Sequence, residues 1–242
     1  KQVIATTKVD TVKGRSMCRL CDELRKVGEY EDALKQGQEG LRISKAKSDA
    51  KGEASCLNNI GVICEIQGDF PNALTYYNKA LKLEVQNGNQ ECIAIILSNV
   101  GIIYDNQGKF TKALECYKKS LNIQERIGNT DGIANSLGNI ALILQSQGDF
   151  PQALECYQKC MKVFDQNSNQ LGIAITLNNI GNIYFSLNEY PKALDYYHRS
   201  LKIKEQIGNH LGIANSLNDI GNIYSIQKEY SKALLYFQKS FK

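Results

Sequence analysis

An octapeptide recurs at a fixed interval along the chain, and this period constrains the fold more than any other feature. It reads LNNIGNIY at 177–184 and LNDIGNIY at 217–224, with looser copies at 57–64, 97–104 and 137–144. Successive copies start 40 residues apart. A period of this length is typical of a repeat array, in which each unit packs only on its neighbours.

Each unit of the period predicts two helices. In the first, Ile173, Leu177, Ile180 and Tyr184 follow helical spacing. Glycine marks the end of that helix and proline the first turn of the second, before a Gly-Asn turn closes the unit. These signals are Gly68, Gly108 and Gly148, then Pro71, Pro151 and Pro191, then Gly128-Asn129 and Gly208-Asn209.

Small and aromatic residues occupy fixed slots of both helices. The small residues predict close approach of the two helices of a pair, and the aromatic residues are expected to fill the space between units. The slots hold Gly61, Gly101, Ala141, Gly181 and Gly221, then Ala73, Ala113, Ala153, Ala193 and Ala233, then Tyr77, Tyr117, Tyr157, Tyr197 and Phe237.

This pattern resembles the tetratricopeptide repeat, in which Leu-Gly, Tyr, Ala and Phe recur at set offsets. The resemblance implies an all-α fold, a right-handed superhelical solenoid of about six helix-turn-helix units. The first unit is divergent and the last truncated, and the units span roughly 11–51, 52–91, 92–131, 132–171, 172–211 and 212–242. Because the standard repeat has about 34 residues, the helices here are longer. This longer form is similar to kinesin light chains, Pins-type adaptors and repeat-bearing bacterial regulators.

Composition adds little about partners. The net charge is +4 with 22% charged residues, which gives no argument for nucleic acid or membrane binding. The longest apolar run, CIAIIL at 92–97, is too short to span a bilayer. The eight cysteines fall on small or apolar repeat slots, which suits a reducing compartment, so we expect a cytoplasmic protein. Since the chain starts at Lys1 and stops inside a unit, we also expect it to be part of a longer one.

No pattern predicts catalysis. The CRLC motif at 18–21 has no second cysteine pair at ligand spacing, and His198 and His210 fall outside any recognisable metal or nucleophile arrangement. We therefore expect no enzymatic activity, no metal and no cofactor.

From the second unit on, asparagine recurs on one side of the first helix, opposite the packing residues. In tetratricopeptide arrays this helix lines the concave face, and in the adaptors that the chain resembles such amides hold target peptides. The predicted peptide-binding residues are Asn58, Asn59, Asn99, Asn139, Asn178, Asn179, Asn182, Asn218, Asp219 and Asn222. The alternative is that these amides bond to a neighbouring unit and set the pitch of the array. A second asparagine row favours binding, because structural pairing would need only one row.

The first unit differs by presenting basic residues on the same face. Arg15, Arg19, Arg25 and Lys26 could receive an acidic portion of a ligand, or simply solvate the terminal unit.

Three functions compete. The leading hypothesis is a protein-interaction scaffold that binds a peptide segment. The alternative is the sensory or regulatory region of a signalling enzyme, such as a histidine kinase or nucleotide cyclase. RNA reading by helical repeats would need a basic groove, which the neutral face opposes. The last helix, with Tyr230, Leu234 and Phe237 partly exposed, predicts end-to-end self-association.

Overall fold

The computed structural model describes the backbone of residues 2–241 and the side chains of residues 12–241. Throughout this described part the regular structure is helical, in six consecutive helix-turn-helix pairs. The helices are α1 (Gln2–Lys26), α2 (Tyr30–Ala46), α3 (Ala50–Ile66), α4 (Phe70–Asn87), α5 (Gln90–Asn106), α6 (Phe110–Ile127), α7 (Thr130–Ser146), α8 (Phe150–Gln166), α9 (Gln170–Ser186), α10 (Tyr190–Gln206), α11 (His210–Ile226) and α12 (Tyr230–Ser240). The predicted all-α fold of about six units is confirmed. Lys1 and Lys242, the ends of the predicted array, lie outside the described residues.

The turn inside each pair requires a left-handed residue. Gly68, Gly108 and Gly148 have φ values of +77°, +68° and +80°, which glycine adopts without the steric cost of a Cβ. The Asp69 N–H then donates to the Cys64 carbonyl over 2.8 Å, which closes the end of α3. Proline lies in the first turn of α4, α8 and α10, as predicted.

The turn between pairs is held by an asparagine that caps the next helix. The Asn129 Oδ1 accepts the Gly132 N–H over 3.0 Å, and Asn169 and Asn209 cap α9 and α11 in the same way. This bond satisfies one of the N–H groups that a helix start leaves without a partner.

Within a pair, an aromatic ring of the second helix lies on a glycine of the first. A Cβ added at Gly61 or Gly181 would lie 2.7 or 2.6 Å from the ring of Tyr77 or Tyr197. The prediction that these rings fill the space between units was therefore incomplete, because each ring also packs within its own pair. The Tyr77 ring does reach the next pair as well, since it shares a core cluster with Ile96.

The chain forms two compact units, Lys1–Gly128 and Asn129–Lys242. In the first, α1, α3 and α5 lie side by side, each packed against its own second helix. In the second, α8 packs on α9 and α10 on α11, which joins three pairs into one body. In the described residues, no helix combines the length and apolar character needed to cross a membrane.

Candidate functional site

The repeated asparagines of the first compact unit link successive first helices. Asn59 donates from Nδ2 to the Cys18 carbonyl of α1 over 3.0 Å. Asn99 donates to the Asn58 Oδ1 of α3 over 3.5 Å. Each bond joins residues 41 positions apart, so an amide reaches back to the slot before its own in the preceding pair. Part of the face predicted to bind peptide is thus occupied by bonds within the array.

In the second compact unit, a link over the same 41 residues involves charged side chains. Asn178 donates from Nδ2 to Asp219 Oδ2 over 3.1 Å. Its Oδ1 accepts from the Lys204 ammonium and the Ser216 hydroxyl, both at 3.1 Å. Burial lowers the pKa of Lys204 and raises the pKa of Asp219, because both groups lose water around their charged forms.

Two other predicted residues are also engaged. Asn182 accepts the Tyr197 hydroxyl over 2.7 Å, and Asn218 accepts the Ser240 hydroxyl over 2.8 Å. Both asparagine rows therefore form bonds within the array, and the prediction that structural pairing needs only one row was wrong. Asn222 is exposed at the far end of the face.

Asn139 and Asn179 are the two predicted residues that face open space together. They line a cavity of about 190 Å³ between α7, α8 and α9, with Leu142 and Ile175 on its rim. Leu142 and Ile175 are 46% and 48% exposed, which is high for side chains of this kind. Among the described residues Asn139 has no hydrogen-bond partner. Asn179 lies beside the Tyr157 hydroxyl, which itself donates to Gln145 Oε1 over 3.1 Å. The slot to which Asn179 would reach back is Gly138, which has no side chain.

Three of the four predicted basic contacts are held by carboxylates of the chain. Arg15 forms a bidentate pair with Asp49, at 2.8 and 2.7 Å. Hydrogen bonds and charge from Arg15 keep the pKa of Asp49 below its usual value. Arg25 and Lys26 both pair with Asp22, at 2.6 and 2.7 Å.

Arg19 is the exception, as an exposed side chain outside the ion pairs of the described residues. It lines a second, larger cavity of about 660 Å³ in the first compact unit. The walls come from α1, α3, the end of α4 and the start of α5: Arg15, Cys18, Arg19, Asp22, Glu23, Lys51, Gly52, Ser55, Asn59, Glu84, Asn89 and Cys92.

The CRLC cysteines lie in α1 and are buried and reduced. A hydrogen bond from the Cys56 thiol lowers the pKa of Cys18, whereas burial raises the pKa of Cys21 to about 11. In the described residues no group of His, Cys, Asp and Glu side chains is arranged to hold a metal ion.

Sequence reasoning missed two charged residues, Glu84 and Lys204, which are only 3% and 5% exposed. They occupy the same slot of the second helix. This slot recurs every 40 residues and holds Ser44, Glu84, Gln124, Phe164 and Lys204. The signal was present, since this slot changes chemistry in every unit while its neighbours repeat.

Solved structures of similar fold come from several proteins. BtubC from P. vanneervenii has a TM-score of 0.72 at 19% identity, and the match covers 89% of this chain and 88% of that one. NprR, solved in apo form from B. thuringiensis, gives 0.74 at 18% identity over 95% of this chain and 64% of its own. PH0952 from Pyrococcus horikoshii, a STAND protein with a tetratricopeptide repeat sensor, gives 0.80 at 16% identity over 96% and 37%.

The family comparison agrees with the fold. A search of curated proteins gave no significant match. The tetratricopeptide repeat family model, however, matches residues 15–83, 92–166 and 172–242, which is most of the chain. With six helix pairs, glycine-aromatic contacts in the pairs and this match, the chain belongs to the tetratricopeptide repeat family.

Proposed function

We propose that the chain is a protein-interaction scaffold that binds a peptide segment on the face formed by its first helices. The observation that carries this is the pair Asn139 and Asn179, which line one cavity beside the exposed Leu142 and Ile175. A side-chain amide offers both a donor and an acceptor, so it can pair with a peptide backbone. The apolar rim would cover the side chains of that peptide.

Two further findings support the proposal. NprR, a structural neighbour, was solved in complex with its cognate peptide NprX, with a TM-score of 0.68 at 18% identity. The Asn139–Asn179 cavity is also lined without any Lys, Arg, Asp or Glu side chain. A ligand there is therefore recognised by hydrogen bonds and apolar contact rather than by charge.

The test uses peptides selected on the full chain from a random peptide library. The Asn139→Ala, Asn179→Ala double variant should bind a selected peptide at least about fivefold more weakly, because each lost amide removes about 0.5–1.5 kcal/mol of hydrogen bonding. The control is Gln158→Ala with His198→Ala, two exposed residues of the second helices. Full affinity in the asparagine double variant, or a library that yields no binder, would refute the proposal.

One observation favours a second candidate, the regulatory region of a larger signalling protein. The match to PH0952 covers 96% of this chain but 37% of that STAND protein, so a similar fold there serves as one part of a longer chain. The sequence of the full-length gene product tests this: an attached kinase or cyclase domain supports it, and its absence removes it.

A further inference from the structure

Glu84 is an enclosed carboxylate without a cationic partner among the described residues. Its side chain is 3% exposed, and its contacts are the Asn87 amide, 3.5 Å from Oε2, and the Cys92 thiol. Lys204, in the same slot of α10, instead bonds to Ser216 at 2.7 Å and to Asn178. The chain therefore surrounds Lys204 with side-chain oxygens, whereas the contacts of Glu84 are the neutral Asn87 amide and Cys92 thiol.

This carboxylate faces the cavity of about 660 Å³ in the first compact unit. That volume falls within the range of ligand sites, about 300–1,000 Å³. Of the other charged residues in the walls, Arg15, Asp22 and Glu23 already have ion-pair partners within the chain. The positive charges of Arg19 and Lys51 lie exposed at the opening of the cavity.

We propose that this cavity binds a primary ammonium group of a peptide, with Glu84 as its acceptor. The inference rests on the proposed peptide-binding function and names a ligand chemistry for the first compact unit. A carboxylate in an enclosed site forms its strongest hydrogen bonds with a charged donor. Oε2 already accepts from Asn87, and the Cys92 thiol also bonds to this carboxylate. The lone pairs that remain suit one compact ammonium better than the two-pronged guanidinium of arginine, which binds best to two free oxygens.

The ammonium has two sources in a peptide, a lysine side chain or a free amino terminus. In either case the next residues of the ligand pass Arg19 and Lys51 at the opening, where an acidic residue would find opposite charge. Of the four basic residues predicted to contact an acidic ligand, Arg19 is therefore the one that remains available. It lies at the opening of the cavity, and the ammonium site lies deeper in the same cavity.

The test is an amide chemical-shift titration of the ¹⁵N-labelled full chain with capped tripeptides. One pair compares acetyl-Ala-Lys-Ala-amide with its norleucine counterpart, and the other compares Ala-Ala-Ala-amide with its acetylated form. We expect the ammonium-bearing member of at least one pair to shift the amides of Ser55, Asn89 and Cys92, with at least about tenfold higher affinity than its neutral counterpart. Which pair shows the difference identifies the source of the ammonium.

Glu84→Gln should abolish this preference, while Glu91→Gln, the same charge change on an exposed neighbour outside the cavity, should keep it. Glu84→Gln should also leave the Tm unchanged or raise it, because it removes an enclosed charge. A purely structural Glu84 would instead lower the Tm on substitution. Equal affinity for both members of both pairs, no shifts around the cavity, or a preference that survives in Glu84→Gln would each overturn the inference.

These outcomes separate the inference from the proposed function. One outcome is that selected peptides need Asn139 and Asn179, while neither the Glu84→Gln substitution nor an ammonium group on the ligand changes affinity. The scaffold then stands and the ammonium site fails. If the tripeptides bind at Glu84 and no library peptide depends on the two asparagines, the ammonium site stands and the asparagine proposal fails.

Discussion

At the scale of single residues, an aromatic ring of the second helix covers a glycine of the first in several pairs. The Tyr197 ring leaves no room for a Cβ at Gly181, whereas Ala141 carries a Cβ at the same slot opposite Tyr157. The array therefore contains the glycine–tyrosine contact in one pair and an alanine–tyrosine contact in another, so the two can be compared directly.

We predict that Gly181→Ala lowers the free energy of unfolding by about 1–3 kcal/mol, because the added methyl displaces the Tyr197 ring. The control, Ala141→Gly, should cost only about 0.5–1 kcal/mol through backbone entropy and lost packing. Urea unfolding followed by circular dichroism measures both values. A neutral or stabilised Gly181→Ala variant would contradict the close contact.

Residue identity was sufficient to place the asparagines on one face but not to assign their partners. Whether an amide of the central slot bonds to the preceding pair depends on what lies 41 residues earlier: Asn59 bonds to the Cys18 carbonyl, whereas Gly138 offers Asn179 no side chain. Whether such an amide reaches a backbone acceptor of the preceding pair depends on helix separation, which the repeat pattern alone does not give. The shared face of the asparagines was therefore predictable from the sequence, whereas the hydrogen-bond partners of their amides were not.

At the scale of helices, the period predicted the pairs, their turns and their buried stripes, because these follow from local spacing and from glycine and proline signals. The variable slot of the second helix was missed, because a charged residue there reads as exposed when single helices are considered. Only the packing of α10 against α9 and α11 encloses Lys204 with Asn178 and Ser216.

This enclosure predicts a pH dependence of stability. Because burial lowers the pKa of Lys204, the unfolded chain holds its proton at pH values where the folded chain has released it. Stability should then rise with pH from the folded pKa up to the unfolded pKa of about 10.4. Chemical unfolding of wild type and Lys204→Gln over alkaline pH measures this. Wild type should gain stability relative to the variant, and a constant difference would contradict the enclosed ammonium.

At the scale of the whole molecule, α12 leaves an apolar face uncovered. Tyr230 and Leu234 are 65% and 58% exposed, whereas the matching residues of α4, α8 and α10 are covered more fully. This exposed apolar face is the surface through which the predicted end-to-end association would occur.

We predict that the chain self-associates at high concentration through this face and that Leu234→Glu weakens the association. A charge placed in an apolar contact would have to be buried without a partner. Sedimentation velocity over a concentration series measures the effect, with Leu187→Glu as a control on the exposed turn before α10. A chain that stays monomeric at every concentration would contradict the prediction.

The central claim is that ligands bind to the face of the first helices, and amide shift mapping of a library-selected peptide on the ¹⁵N-labelled chain tests it most directly. The account predicts the largest shifts at Asn139, Leu142, Ile175 and Asn179. Shifts confined to the exposed side of the second helices, around Gln158 and Lys159, would contradict it.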